Sequence, residues 1–139
     1  MSMTRATRPG AAWARWGQRA ALLALCAAYV QGGLVKALDF SGAVAEMAHF
    51  GLQPAAPFAA ATIALELGAS ALVISGRARW LGALALATFT VAATLLANRY
   101  WLASGGERFA LMNAFYEHVG LAGGFLFVAL QDLGAKRHA

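Results

Sequence analysis

Glu66 stands in the middle of an apolar stretch, residues 57–76, of about the length needed to cross a membrane. A carboxylate there is costly unless it faces protein, water or a partner, so an intramembrane ionisable residue marks a functional site by default. Other chemically able side chains gather at the ends of similar stretches: Lys36, Asn98 with Arg99, Asn113, and the adjacent Glu117 and His118. Buried acids beside bases can relay protons, and amide and basic side chains can hydrogen-bond the oxygens of a ligand. A metal site fits less well. Neighbours on a helix point about 100° apart, so Glu117 and His118 do not form an i, i+4 pair. His49 and His138 fall in a loop and a tail expected on opposite sides of the membrane, which excludes a three-histidine zinc site. Cys26 is the single cysteine, so an intramolecular disulfide or a dithiol couple is ruled out. Any redox chemistry then belongs to a bound cofactor or another subunit.

The elements that carry these residues are apolar on every side. Hydrophobic residues make up 60% of the 139-residue chain and charged residues 12%, against about 25% in a soluble domain. Four stretches, 16–36, 57–76, 80–101 and 113–131, approach the ~20 residues that span a bilayer as a helix. None alternates with the period of a barrel strand. The expected fold is all-α: an integral membrane bundle of four transmembrane helices, with a short interfacial helix between the first two. That short helix lies within residues 37–56, capped by Ser41 and ended by Gly51, with Phe40, Val44 and Met47 on one face. Pro57 suits the first turn of the second span. Arg77, Ala78 and Arg79 make a very short connection, so the second and third spans are antiparallel neighbours. Ser104-Gly105-Gly106 reads as a turn within the connection 102–112, and Gly120-x-x-x-Gly124 offers a smooth surface for close helix contact. A single transmembrane domain over 16–131 would sit between basic tails at 1–15 and 132–139.

The formal charge of +5 invites nucleic acid as a partner, but its distribution follows topology. Arg5, Arg8, Arg15 and Arg19 precede the first span, Arg77 and Arg79 join the second to the third, and Lys136 and Arg137 follow the fourth. Only Lys36, Arg99 and Arg108 fall on the other side, eight against three. The positive-inside rule then places both termini in the cytoplasm; a bacterial-type inner membrane is the expected location. The lipid bilayer is the expected partner, with some attraction to anionic headgroups, and no nucleic acid. The apolar run 20–35 outlasts a usual signal-peptide core, so the first span is expected to remain as an anchor.

This topology brings the polar residues to the outer end. Glu66, nine residues beyond Pro57, lies roughly 13 Å deeper by helical rise. Thr62, Glu66 and Ser70 recur every four residues, as do Thr90, Thr94 and Asn98, and Asn113 and Glu117; Tyr29, Gly32 and Lys36 share a face of the first span. Such stripes should turn inward, because lipid cannot satisfy them. Two uses stand open. Lys36 and Arg99 balance Glu66 and Glu117, so interhelical ion pairs could hold the bundle, or the same groups could handle a ligand or protons.

The order of these features resembles the DoxX family of small four-helix membrane proteins. The matching parts are Gly32-Gly33-Leu34-Val35-Lys36, the run Met47–Pro54, Ile63–Gly68 around the glutamate, Gly76-Arg77-Ala78-Arg79, and Leu121-Ala122-Gly123-Gly124. Together they cover roughly residues 19–130. A Lys-Asn pair that often opens the family's last span is Glu117-His118 here. The resemblance implies a membrane subunit of a redox system: some relatives belong to a thiosulfate:quinone oxidoreductase, others join complexes with soluble redox enzymes. Partners of that kind, or other membrane subunits, are then expected. No residue role carries over from the family; a quinone is the cofactor that such a redox role suggests, and the polar cluster of Glu66, Lys36, Arg99, Glu117, Asn113 and His118 is where it would be held. A non-enzymatic scaffold or assembly factor is the alternative, and a small transporter a third.

Overall fold

The computed structural model describes residues 9–138, and Arg5 and Arg8 of the expected basic tail lie outside them. Among the described residues all regular structure is helical: α1 (Pro9–Leu38), α2 (Phe40–His49), α3 (Ala55–Ser75), α4 (Arg79–Ala97), a short 3₁₀ turn at Tyr100–Leu102, and α5 (Gly105–Arg137). Four of these helices are long and apolar enough to cross a membrane. α1 packs on α3, α3 on α4 and α4 on α5, while α2 lies against α3. The long helices alternate in direction, so the end of α1, the start of α3, the end of α4 and the start of α5 share the end that carries α2.

α2 is capped by Asp39, not by the expected Ser41. The Asp39 carboxylate accepts the Gly42 N–H at 2.9 Å and the Ser41 hydroxyl at 3.0 Å. The helix starts one residue before Ser41, so Asp39 holds the position from which a side chain reaches the orphan donors of the first turn. Those two donors hold the Asp39 carboxyl below the usual carboxylate range, the Gly42 N–H having the larger effect. The other end closes as anticipated at Gly51, whose φ of 75° is left-handed. Leu52 N–H then returns to the Met47 carbonyl at 2.9 Å and Gly51 N–H to that of Ala48 at 3.0 Å, a Schellman closure. Ala43 and Met47 bury themselves against Ala55 and Ala59 of α3, and Phe40 stays exposed.

The last connection is shorter than expected. Gly105 and Gly106 open α5 instead of filling a loop, and Glu107 sits in its first turn, where the helix dipole favours an acid. Residues 107–112 are good helix formers, but Glu107 and Arg108 hide them from a hydropathy criterion.

The core is built from small side chains with a few large ones: Cys26, Val73, Ala83, Leu86, Phe125 and Ala129 are almost fully enclosed. Two glycines set the helix crossings. A Cβ on Gly82 would stand 2.6 Å from the Ala69 carbonyl oxygen, and one on Gly33 would stand 2.8 Å from Leu67. Lipid tails are as apolar as a core, so such close backbone approach is what favours packing in a membrane. The Gly120-x-x-x-Gly124 surface is used only at Gly124, which meets Leu25 of α1; a Cβ on Gly120 or Gly123 would touch nothing within 4 Å.

At the opposite end from α2, the tight turn passes through Gly76 (φ 79°) and Ala78 (φ 49°), both left-handed. Ala78 has no side chain to cap α4. Asp132 of α5 does so from outside, accepting the Trp80 N–H at 3.1 Å while pairing with Lys136 at 3.1 Å.

Candidate functional site

The end that carries α2 holds a cavity of about 680 Å³, to which every long helix and α2 contribute. At its polar side Lys36 of α1 reaches Glu66 of α3, with Nζ 3.4 Å from both carboxylate oxygens. The side chains are 17% and 7% exposed, so the pair is nearly enclosed within the bundle. Lys36 lies in the last turn of α1, where the helix dipole favours a cation. The backbone approach at Gly33 brings α1 close enough for the contact. Gly32 keeps the space beside it open, because a Cβ there would lie 3.4 Å from Glu66 Oε1.

Four further polar side chains, Tyr29, Thr90, Asn98 and His118, line the cavity in fixed roles. The Thr90 hydroxyl donates to the Leu86 carbonyl at 2.6 Å. Its one proton is thereby used, so Tyr29 is the donor in the buried contact between Tyr29 OH and Thr90 Oγ1. The Tyr29 ring is held edge-on by Phe125 at 5.3 Å and Phe89 at 6.4 Å. On α5, His118 Nδ1 lies 2.6 Å from the Ala114 carbonyl oxygen. A carbonyl only accepts, so Nδ1 carries a proton and donates. The Asn98 amide nitrogen 3.5 Å from that Nδ1 is then a contact between two donors and not a hydrogen bond; Asn98 donates instead to Thr94 Oγ1 at 3.1 Å. Nε2 has no protein partner among the described residues and is the nitrogen left for a ligand.

The six residues expected to form the site separate. Lys36, Glu66, Glu117 and His118 line the one cavity; Arg99 and Asn113 are exposed and do not. The expected balance of Arg99 against Glu117 is absent among the described residues, where Lys36–Glu66 and Lys136–Asp132 are the ion pairs. Consecutive residues on a helix face different ways, and Asn98 takes the cavity while Arg99 leaves α4 at the 3₁₀ turn. Glu46 of α2 lines the cavity and was not foreseen. Among the described residues no group of three His, Cys, Asp or Glu is placed to hold a metal ion.

The remaining wall is apolar, with Phe58, Phe89, Leu96 and Leu121 facing the space. Such a cavity can hold an amphipathic ring: a cation donor at Lys36, a ring nitrogen at His118 and aromatic surface between. Comparison with family models matches DoxX over residues 20–99, more than half of the chain and the whole of the Lys36–Glu66 region. Comparisons with curated proteins and with solved structures find no match.

Proposed function

The chain belongs to the DoxX family of membrane proteins, and from that membership and the cavity we propose that it is the membrane subunit of a redox system, holding a quinone-type ring between Lys36, Glu66 and His118, with Glu117 at the exposed mouth of the cavity and outside the contact set. The observation that carries this is one amphipathic cavity in which an otherwise apolar bundle concentrates its polar groups. A quinone supplies the electron chemistry when bound, and this chain's residues bind and orient it. Lys36 donates to a ring carbonyl, and His118 Nε2 accepts from the hydroxyl of the reduced ring. Glu66 holds Lys36 in place and is the carboxylate able to pass a proton. Arg99 and Asn113 stay outside this contact set. Soluble redox enzymes or other membrane subunits would exchange electrons with the ring.

The bilayer is one partner, since the four long helices expose apolar side chains along their length. We place both termini in the cytoplasm of a bacterial-type inner membrane, with the cavity toward the outer side. The support is the basic set Arg15, Arg19, Arg77, Arg79, Lys136 and Arg137 at the far end. The membrane domain is taken as residues 16–131 between two short tails.

Mass spectrometry of the protein purified with its native lipids tests the function. Quinone is expected with the wild type and reduced by a factor of about five or more in Glu66→Gln and Lys36→Met, with helical content retained. Unchanged quinone content and membrane redox activity in both variants would overturn it. The scaffold alternative draws on one observation, the Lys36–Glu66 clip beside the Gly33 crossing. It is favoured if the same substitutions lower folded yield and alter no bound molecule.

A further inference from the structure

The charges around the cavity are unequal. Lys36 is committed to Glu66, and two more carboxylates, Glu46 and Glu117, line the same space without an ion-pair partner among the described residues. Both are exposed, so they stand where the cavity meets its surroundings and not at its enclosed side. The imbalance extends to the whole end of the bundle. Asp39, Glu46, Glu66, Glu107 and Glu117 lie there, five of the chain's six carboxylates, with Lys36, Arg99 and Arg108 as the basic residues. Neither Arg99 nor Arg108 lines the cavity. A low-dielectric cavity lined by one sign of charge focuses its field, attracting cations and repelling anions.

We propose that Glu46 and Glu117 form an anion-excluding rim, so that the cavity admits neutral ring compounds and turns away amphiphiles that carry a carboxylate, sulfonate or phosphate head. This rests on the ring-binding function above and adds its selectivity. In a membrane the commonest competitors for an amphipathic cavity are lipids and fatty acids, many of them anionic. An apolar wall alone would accept their chains. The two carboxylates supply the repulsive element that attraction to the right ligand cannot provide. Their origin on different elements, α2 and α5, places negative charge on two sides of the space.

The test uses the full chain in phosphatidylcholine nanodiscs, whose surface carries no net charge, with empty nanodiscs as the blank. Two probes share a ring system: menadione, which is neutral, and naphthoquinone sulfonate, which is an anion. Wild type is expected to prefer menadione by roughly tenfold or more, and E46Q/E117Q to reduce that preference to roughly threefold or less by binding the sulfonate more tightly. Added salt should narrow the wild-type preference, since exposed charges are screened beyond about 8 Å at physiological ionic strength. The single variants E46Q and E117Q should fall between, which guards against one misfolded protein. Equal binding of both probes by the wild type, or a preference unchanged in E46Q/E117Q, would overturn the rim and leave ring binding intact. If the wild type binds neither probe, ring binding fails and the rim with it.

Discussion

Lys36 and Glu66 meet nearly enclosed within the bundle, where little solvent reaches either, so each is tolerated through the other. Removing one partner leaves a charge that costs about 2.5–3.5 kcal/mol near the middle of a bilayer, whereas removing both leaves none. Lys36→Met should therefore destabilise the bundle by about that amount, and Lys36→Met with Glu66→Gln by clearly less. Unfolding titrations in mixed detergent micelles measure both, and a double variant that is the sum of its singles would contradict the pairing. Much of this was legible in the sequence. A polar or charged group in an apolar helix announces itself, which is why Glu66, Lys36 and His118 stand out in the sequence. Arg99 and Glu117 could not be unpaired from composition, because a charge balance does not say which way a side chain leaves its helix. Glu46 was hidden for another reason: on a short connecting helix it reads as a solvated surface acid until α2 is seen against α3.

At the scale of the helices, the crossings depend on where small residues face a neighbour. Gly82 of α4 lies against the Ala69 carbonyl of α3, so Gly82→Ala must push two backbones apart. A loss of about 1–3 kcal/mol is expected, with a lower folded fraction in the same titration. Gly120→Ala should be neutral or slightly stabilising, because its methyl meets nothing and alanine is the better helix former. Equal effects from the two would refute this account of the packing. The sequence displayed the Gly-x-x-x-Gly spacing openly, yet the tightest glycine approaches between long helices are at Gly33 and Gly82, which form no such motif. Spacing reports a smooth patch, and only the neighbouring helix decides whether it is used. The four spans and the short helix were readable from hydropathy and turn residues. Their ends were not, since α1 and α5 run past the apolar stretch into charged sequence that remains helical.

Among the described residues five of the six side-chain carboxylates lie at the end that carries α2 and six of the nine basic residues at the other, and the proposed orientation rests on that bias. In a Cys26→Ala background, Ser41→Cys should react with a membrane-impermeant maleimide on intact cells, and Arg77→Cys only after permeabilisation. The reverse pattern would invert the topology. Cys26 itself is fully buried, so its removal should not disturb the labelling. The overall charge asymmetry was countable from the sequence; its convergence on a single cavity was not, because that required the azimuth of five helices at once. The Lys36–Glu66 pair also has an electrical consequence. A membrane potential of 100 mV does about 2.3 kcal/mol of work on one elementary charge carried across. Opposite charges 3.4 Å apart feel almost none of it as a unit. A proton delivered to Glu66 would leave the ammonium of Lys36 alone in the field. From that moment the voltage across the membrane would bear directly on how long the proton stays.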